Sequence, residues 1–419
     1  MTDDGFWAAA LAEAEAADAA DPLAGFRDRF RLPPGVIYLD GNSLGPAPEA
    51  ALAGVRTAAE EEWARGLIGS WNGARWWELP ERYGDLVAPL IGAEAGEVVV
   101  TDTTSLNLYK ALHAGLSLRP GRRVIVAEGD CFPTDVYVAE GVALGRPDVG
   151  LRLEGRDGPA LEGLIGEDVA VVLANQVDYR TGRRRDVAAL TARAQAAGAV
   201  VVWDLCHSAG VMEVGLNAAG ADLAVGCTYK YLNGGPGSPA FVYCASRHQA
   251  AVRQPLTGWW GHARPFAFDR GFEPDPGIRR FLCGTQPILS FRGMQAGLEL
   301  AAEAGIAAAR AKSMALTGRF VAVAEAATAR FGVGVFGPRE AEARGSQVAL
   351  THPEGYAVMQ ALIARGVVGD FRMPDILRFG FAPLYIRHAD VVRAARTLEQ
   401  VLAGRVWDDP RYQARAAVT

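Results

Sequence analysis

An amine and a carboxylate follow two apolar segments of this chain, at positions where both could serve one reaction. Asp204 ends the apolar segment 199–204, and Lys230 lies four residues after the apolar segment 223–226. If both segments are strands of one sheet, their carboxyl ends meet at the edge where α/β proteins bind ligands. Only three of the 42 basic residues are lysines, and arginine cannot replace lysine as a nucleophilic amine. Lys230 is therefore the first candidate for covalent chemistry.

The surroundings of Lys230 favour a covalent partner. Tyr229 and Tyr231 flank it, and the glycine-rich segment 234–237 that follows lets the backbone pack closely around it. A lysine in such a place requires a buried anion or a covalent bond that removes the isolated charge. An imine with pyridoxal phosphate is such a bond, and this cofactor also requires a carboxylate, such as Asp204, beside its pyridine nitrogen. The residues alone leave this hypothesis and a structural ion pair both open.

Two further segments offer what this cofactor would need around its phosphate and its ring. Thr104 and Ser105 lie where a predicted strand gives way to a helix. Hydroxyls and free backbone N–H groups at a helix N-terminus suit a phosphate, although the same residues suit an ordinary N-cap. Phe132, Thr134 and Asp135 follow the next predicted strand and offer an aromatic plane and a second carboxylate.

Other kinds of site have less support. The segment 234–237 lacks the GxGxxG spacing of a dinucleotide site. Asp204 and His207 could both ligate a metal, but no third ligand follows at helical spacing, so we expect no metal. The five cysteines are scattered and never form a CxxC pair, which argues against a zinc site and a disulfide framework.

The elements that must position these residues alternate between short apolar strands and helices. Strand-length segments, among them the predicted strands 98–101 and 223–226, recur between residues 98 and 244, which is typical of a mostly parallel, helix-covered sheet. After Pro287 the pattern changes to a long alanine-rich helical region, residues 288–330, followed by shorter predicted strands such as 347–351. We therefore predict an α/β protein with an N-terminal helix and arm (residues 1–48), a large domain (49–287) and a smaller α+β domain (288–419).

The composition is that of a globular protein, since 50% of the 419 residues are hydrophobic and 21% are charged. The net charge of −6 argues against nucleic acid or an anionic membrane as the main partner. No apolar run approaches the ~20 residues that span a bilayer, and the acidic start at Asp3 and Asp4 differs from a signal peptide. We expect a soluble cytoplasmic protein.

Five segments, in this order along the chain, resemble the kynureninase family: residues 38–45 (YLDGNSLG), 132–135 (FPTD), 204–210 (DLCHSAG), 227–233 (CTYKYLN) and 258–262 (GWWGH). The resemblance runs from about residue 30 to the C-terminus. It implies the aspartate-aminotransferase-like fold of class V pyridoxal-phosphate enzymes (fold type I), and hydrolytic Cβ–Cγ cleavage of L-kynurenine to anthranilate and L-alanine. It also implies a role in tryptophan catabolism and NAD biosynthesis, with 3-hydroxykynurenine as a poorer substrate, and a homodimer with active sites at the subunit interface.

The resemblance further implies roles for individual residues around the cofactor. Lys230 would form the covalent bond, Asp204 would hold the pyridine nitrogen with help from Asp135, and Phe132 would stack on the ring. Tyr229 would be the acid that protonates the product carbon. The remaining cofactor contacts are expected from Thr104, Ser105, Thr134, Asn175, His207, Tyr229, Trp259 and Thr285.

On the substrate side, the resemblance implies that Arg378 clamps the substrate carboxylate with its two-pronged guanidinium group. Asn42 and Ser43 would shape this side of the site. Thr285 and Trp71 would approach the aryl ring, and they favour plain kynurenine over 3-hydroxykynurenine.

Two alternatives stand beside this interpretation. A cysteine desulfurase or lyase of the same cofactor class requires a mobile catalytic cysteine. No cysteine lies in the predicted second domain, and the nearest one, Cys283, follows the apolar Phe281 and Leu282. A non-catalytic regulatory protein would include a basic DNA-binding segment, and none precedes residue 30.

Overall fold

A computed structural model describes residues 3–155 and 158–415. The largest sheet of these residues has seven strands, and two smaller sheets contain the others. The strands are β1 (Ile37–Tyr38), β2 (Val98–Thr101), β3 (Val124–Ala127), β4 (Gly150–Leu153), β5 (Val169–Asn175), β6 (Val200–Asp204), β7 (Leu223–Gly226), β8 (Ala240–Cys244), β9 (Gly334–Phe336), β10 (Gln347–Thr351), β11 (Val367–Val368), β12 (Asp370–Arg372) and β13 (Ile376–Gly380). The helices are α1 (Asp3–Ala19), α2 (Glu49–Thr57), α3 (Ser70–Gly73), α4 (Leu79–Ile91), α5 (Thr104–Leu118), α6 (Pro133–Gly145), α7 (Val187–Ala196), α8 (Ser246–Gln249), α9 (Ile288–Ala304), α10 (Ile306–Thr328), α11 (Gly355–Ile363) and α12 (His388–Ala403).

The large sheet places the functional strands side by side. Its order is β2-β8-β7-β6-β5-β3-β4, in which β8 runs antiparallel to both neighbours and the other adjacent pairs are parallel. Asn175 at the end of β5 lies opposite Asp204 at the end of β6, and Asp204 lies opposite Val225 of β7. The carboxyl ends of these strands therefore meet at one edge, as the sequence predicts.

Six of the seven strands of the large sheet are almost entirely buried. Successive side chains of a strand point to opposite sides, so Val98 and Val100 of β2 pack into one core together with Trp203, whereas Val99 packs into the other core. A strand that is buried on both faces must be apolar along most of its length. In these six strands the charged and amide side chains therefore lie at the ends, as Asn175 and Asp204 do, where they can face a ligand.

A smaller antiparallel sheet, ordered β12-β13-β10-β9, lies in the C-terminal part of the chain. Residues of α10, α11 and α12 pack on it in a third core, which also contains Trp7, Leu23 and Phe30 of the N-terminal segment. Strand β1 pairs in parallel with β11, with Ile37 opposite Val367. Core packing and strand pairing thus join the N-terminal arm to the C-terminal part, and they bring the loop after β1 to the edge of the large sheet.

The sequence predicts most of these elements to within a residue or two. The predicted strands 98–101, 223–226 and 347–351 coincide with β2, β7 and β10. The predicted helical region 288–330 is interrupted at Gly305, where a φ of +75° separates α9 from α10; this backbone conformation favours glycine. Among the elements that the sequence does not predict are α6, β9, β11 and β12, and also β4, a short edge strand that is largely exposed.

The predicted domain boundary at residue 287 falls at the start of α9. Phe291, Met294 and Leu298 of this helix pack into a core of the large sheet, whereas α10 packs with the C-terminal part. The division into residues 1–48, 49–287 and 288–419 stays a prediction.

Candidate active site

Lys230 lies in a tight turn that follows β7 at the edge of the large sheet. Its Nζ is 3.0 Å from Nε2 of His207 and 5.9 Å from the centre of the Phe132 ring. The loop after β1 packs against this turn, since the backbone N–H of Gly45 donates to the carbonyl of Tyr229 at 2.7 Å. A Cβ on Gly45 would lie 2.5 Å from the Lys230 carbonyl oxygen, so the close approach requires glycine.

A buried pair of carboxylates, Asp204 and Asp135, lies at the same edge. The side-chain amide of Asn175 donates to both acids, with its Nδ2 3.0 Å from an oxygen of each. The backbone N–H of Cys206 donates to Asp204 at 2.7 Å. Burial and the neighbouring charge of Asp204 raise the pKa of Asp135 well above its usual value. The structure thus brings together three residues that we expected to contact the cofactor.

These acids fit the requirements of a protonated pyridine nitrogen. Two adjacent buried carboxylates repel each other unless a cation or a proton compensates for one of the charges. Lys230 is near enough that its charge lowers the pKa of Asp135. A pyridinium N–H would supply a second compensating charge. The donors and acceptors at this edge therefore fit pyridoxal phosphate, and Lys230 stays its predicted covalent anchor.

The helix that begins at this edge provides a place for a phosphate. The side chain of Thr103 caps α5, and the helix itself begins with Thr104 and Ser105. The hydroxyls of these two residues are therefore not used in the cap. Oγ1 of Thr104 lies 3.8 Å from Sγ of Cys206, which places the helix N-terminus next to the residues that follow Asp204. Free N–H groups and the positive end of the helix dipole favour an anion here.

Phe132 presents a partly exposed ring to the site. The residue is 42% exposed, and its ring makes an edge-to-face contact with that of Tyr179 at 5.4 Å between centres. Thr134 and Asp135 follow in the first turn of α6, so one helix start places the ring and the second acid. The exposed ring face allows stacking against a planar cofactor.

Arg378, the expected partner of the substrate carboxylate, is buried and already engaged. Its guanidinium group pairs with Asp370 through Nε at 2.8 Å and through Nη2. Nη1 donates to the carbonyl of Tyr179 at 2.7 Å, and Nη2 donates to Oγ of Ser43 at 3.0 Å. Arg378 and Ser43 are thus together as predicted, and a substrate carboxylate would share the guanidinium group with Asp370.

Asn42 packs against the second sheet. It is fully buried, and a Cβ on Gly380 would overlap its side-chain amide. Neither polar atom of that amide has a hydrogen-bond partner among the residues that the structure describes. Nearby, burial and the charge of Asp370 raise the pKa of Asp40 to about 7. The substrate contact expected of Asn42 stays a prediction.

Trp71 and Trp259 lie together in an aromatic cluster. Their ring centres are 6.0 Å apart, and Trp71 also lies 5.2 Å from Trp260. Trp77 stacks on Trp260 at 5.0 Å. Thr285 is exposed in the segment before α9. Of Trp71, Trp259 and Thr285, the structure thus groups the two tryptophans. The contacts that we expect of all three with the cofactor or the aryl ring stay predictions.

The other two lysines have structural partners. Nζ of Lys312 is 2.6 Å from Asp21, and the buried Lys110 pairs with Asp102. Lys230 instead has a neutral neighbour, His207, whose pKa is lowered well below its usual value by burial and then by Lys230 itself. Of the three lysine amines, that of Lys230 is therefore the one that is available for a covalent reaction.

Two further kinds of feature are absent from residues 3–155 and 158–415. No group of three His, Cys, Asp or Glu side chains there is arranged to hold a metal ion. None of the helices in these ranges combines the length and the apolar character that crossing a membrane requires.

Three residues of the site lie outside the predicted set: Tyr179, Gln347 and Asp370. The Tyr179 carbonyl accepts from Arg378 and, at 2.9 Å, from Gln347. Gln347 begins β10 and Asp370 begins β12. A polar residue at the first position of an otherwise apolar strand is the signal that could have identified Gln347.

Comparisons with known proteins agree with this geometry. A sequence family described as the kynureninase C-terminal domain matches residues 309–398. A kynureninase of Burkholderia pseudomallei (strain 1106a) is 53% identical over 412 residues, which cover 97% of this chain and 99% of that protein. A kynureninase of Pseudomonas fluorescens is 51% identical over 409 residues, which cover 96% and 98%.

Solved structures share the fold. The apo structure of a cysteine desulfurase from Thermococcus onnurineus matches with a TM-score of 0.75 at 22% identity, over 91% of this chain and 98% of that chain. A C-DES variant with glycine covalently linked to its PLP cofactor matches with a TM-score of 0.74 at 16% identity, over 89% and 98%. The aspartate-aminotransferase-like fold of class V enzymes is thereby confirmed.

These findings decide between the alternatives that the sequence left open. The desulfurases share the fold alone, and the five cysteines of this chain all precede residue 288. The kynureninases instead share about half of all residues over nearly the whole length. Because the lysine, the acid pair and the arginine also lie where one active site would need them, this chain belongs to the kynureninase family of pyridoxal-phosphate enzymes.

Proposed function

We propose that this protein hydrolyses the Cβ–Cγ bond of L-kynurenine and releases anthranilate and L-alanine. The observation that supports this most is the grouping of Lys230, His207 and the Asp204–Asp135 pair at one edge of the sheet. This grouping occurs in a chain that is 53% identical to a kynureninase. The reaction adds one water across the bond, with hydroxyl on the γ-carbonyl carbon and hydrogen on Cβ.

The residues around Lys230 would hold the cofactor. Pyridoxal phosphate, when bound, withdraws electrons from the substrate carbons through its protonated ring. Lys230 would anchor it between turnovers, and Asp204 would keep the ring nitrogen protonated. The side-chain amide of Asn175 donates to both Asp135 and Asp204 and thereby orients Asp204. Thr104 would bind the phosphate at the start of α5.

Arg378 would bind the substrate carboxylate. Asp370 and Ser43 hold its guanidinium group in one orientation. The arginine side chain therefore loses little further conformational entropy when the substrate carboxylate binds. Phe132 would cover the ring at the mouth of the site. Trp71 and Thr285 would contact the aryl ring, and we propose that they favour kynurenine over 3-hydroxykynurenine.

Lys230 and Tyr229 would move the protons. The neutral Lys230 amine would take the proton from the substrate Cα. The neighbouring Cys227 and burial raise the pKa of Tyr229 far above its usual value, so its hydroxyl stays protonated at neutral pH. Tyr229 would donate this proton to Cβ after the Cβ–Cγ bond has broken.

We also propose that the protein is a cytoplasmic homodimer that acts in tryptophan catabolism and NAD biosynthesis. Exposed apolar side chains are concentrated in two segments of the surface, and such patches are typical of interfaces. They are Leu52, Val55, Trp63, Leu67 and Ile68 in the first segment, and Trp259, Phe266, Phe268 and Phe272 in the second. The second segment contains an expected cofactor contact, which supports an active site at the subunit interface.

The function is tested by incubating the holoenzyme with L-kynurenine and following the fluorescence of anthranilate. We expect turnover, with a larger kcat/KM than for 3-hydroxykynurenine. Lys230→Arg retains the positive charge and loses the nucleophilic amine, so kcat/KM should fall by more than about 10³-fold. Wild-type protein that binds the cofactor but releases no anthranilate would disprove the proposal.

Replacing Tyr229 tests its role as the acid. Tyr229→Phe removes the hydroxyl, so kcat should fall by about 10²- to 10⁴-fold, while the absorbance spectrum of the bound cofactor stays nearly unchanged. Tyr137→Phe, at an exposed residue of α6, is the control and should leave kcat unaltered. Normal turnover by Tyr229→Phe would assign the proton to another group.

A charge in the first apolar segment tests the homodimer. Ile68 is 81% exposed in one chain and Leu144, on α6, is 85% exposed. Ile68→Asp should shift sedimentation from twice the 44.4 kDa chain mass towards the single chain, because a dimer would bury the carboxylate. Leu144→Asp should remain a dimer. Monomeric wild-type protein with full activity would refute this arrangement.

A further inference from the structure

Most hydrogen-bond donors of Arg378 already have acceptors within the protein. A guanidinium group has five N–H donors. Nε and one N–H of Nη2 face the carboxylate of Asp370, the second N–H of Nη2 faces Oγ of Ser43, and one N–H of Nη1 faces the carbonyl of Tyr179. One N–H of Nη1 is left without an acceptor among the described residues. A substrate carboxylate would therefore bind Arg378 beside Asp370 and not in its place.

The pair of Arg378 and Asp370 offers an incoming anion no net charge. The two residues lie opposite each other in the register of β12 with β13, and only 2% and 3% of their side chains are exposed. Their opposite charges therefore cancel in a buried place. A substrate carboxylate would be a second acid beside one guanidinium group. Two buried carboxylates repel each other unless a further positive charge compensates for one of them.

Arg372 supplies a further positive charge at this place. It follows Asp370 by two residues in β12, so both side chains lie on the same face of the strand. Nη2 of Arg372 is 2.7 Å from Oδ2 of Asp370, and the Arg372 side chain is 37% exposed. The hydroxyl of Ser43 donates to the same oxygen at 2.9 Å. The cluster of Arg372, Asp370 and Arg378 thus carries one net positive charge.

We propose that Arg372 is a positioning residue of the substrate site, which compensates for the charge of Asp370 and lets Arg378 bind the substrate carboxylate while it stays paired with Asp370. Asp370 holds the guanidinium group in place, and Arg372 offsets the repulsion that this acid exerts on the substrate. With one carboxylate bound the cluster is neutral, so the site favours ligands that have a single carboxylate. This inference rests on the proposed function, which assigns Arg378 to the substrate carboxylate.

Asp40, in the loop after β1, is a further acid near this cluster. Burial, and then the charge of Asp370, raise the pKa of Asp40 to about 7. Below this pH Asp40 is largely uncharged, so Arg372, Asp370 and Arg378 determine the charge that a substrate carboxylate meets. Affinities of variants are therefore compared at about pH 6.

Arg372→Gln removes the charge and keeps an amide that can donate to Asp370. KM for L-kynurenine should rise about 5- to 50-fold, whereas kcat should change less than about threefold. Arg372→Lys retains the charge and should stay within about threefold of the wild-type KM. Arg396→Gln, at a part-exposed arginine that pairs with Asp4, is the matched control and should change neither constant. An unchanged KM in Arg372→Gln, or an Arg372→Lys variant that is equally impaired, would contradict the proposal.

The equilibrium binding of L-alanine, the proposed product, tests the carboxylate directly. Titration of the holoenzyme, followed by the absorbance of the bound cofactor, gives dissociation constants for L-alanine and for L-alaninamide, which lacks the carboxylate charge. Arg372→Gln should weaken the binding of L-alanine about 5- to 50-fold and change that of L-alaninamide less than about twofold. Equal losses for both ligands would indicate a merely structural role of Arg372 and overturn the proposal.

Removing both opposite charges supplies an independent readout. Arg372→Gln combined with Asp370→Asn leaves Arg378 as the charge of the cluster, so the net charge returns to that of the wild type. The dissociation constant of L-alanine should recover to within about fivefold of the wild-type value. A double variant that binds L-alanine as weakly as Arg372→Gln would count against the proposal. If wild-type protein binds L-alanine yet releases no anthranilate from L-kynurenine, the proposed function fails, while these titrations still decide this inference.

Discussion

The adjacent burial of Asp204 and Asp135 is the constraint on which the rest of the site depends. The Asn175 amide connects the two acids, and burial, followed by the charge of Asp204, raises the pKa of Asp135. Two buried carboxylates are compatible only if a proton or a positive charge compensates for one of them. Lys230 provides such a charge in part, and a protonated pyridine ring would complete it. The edge of the large sheet is therefore prepared for a cationic, covalently held cofactor before any substrate arrives.

The amine and the acids lie at the edge of the large sheet, as does the Asn175 amide that holds the acids, but other groups of the site come from elsewhere in the chain. Gly45 in the loop after β1 packs against the lysine turn, and Gln347 and Arg378 come from the second sheet. Tyr179 connects the two sheets, since its carbonyl accepts from both of these side chains. The pairing of β1 with β11 holds the N-terminal loop in the same place. One set of contacts between the sheets thus holds both the lysine turn and Arg378, the predicted partner of the substrate carboxylate.

The sequence predicts the parts of this site that follow parallel strands, because the end of a strand fixes where the next residue must lie. Lys230, Asp204 and Asn175 are of this kind, and the strands before them lie within a residue of their predicted bounds. Gln347 could not be predicted in the same way, since its partners, the carbonyls of Asp178 and Tyr179, are 169 and 168 residues away along the chain. Asp370 meets Arg378 only through the register of β12 with β13, which the sequence does not fix. The state of Arg378 is likewise a property of the packed structure: the sequence predicts an arginine for the substrate, and only the fold shows that it is already paired.

The most direct test of this account is to reduce the holoenzyme with borohydride and to identify the modified residue by peptide mass spectrometry. Reduction converts an imine into a stable secondary amine on the lysine that formed it. The chain contains three lysines, and we predict the cofactor-derived mass on the peptide that contains Lys230, with none on Lys110 or Lys312. Labelling of either of those lysines, or the absence of any label in protein that binds the cofactor, would contradict the central claim.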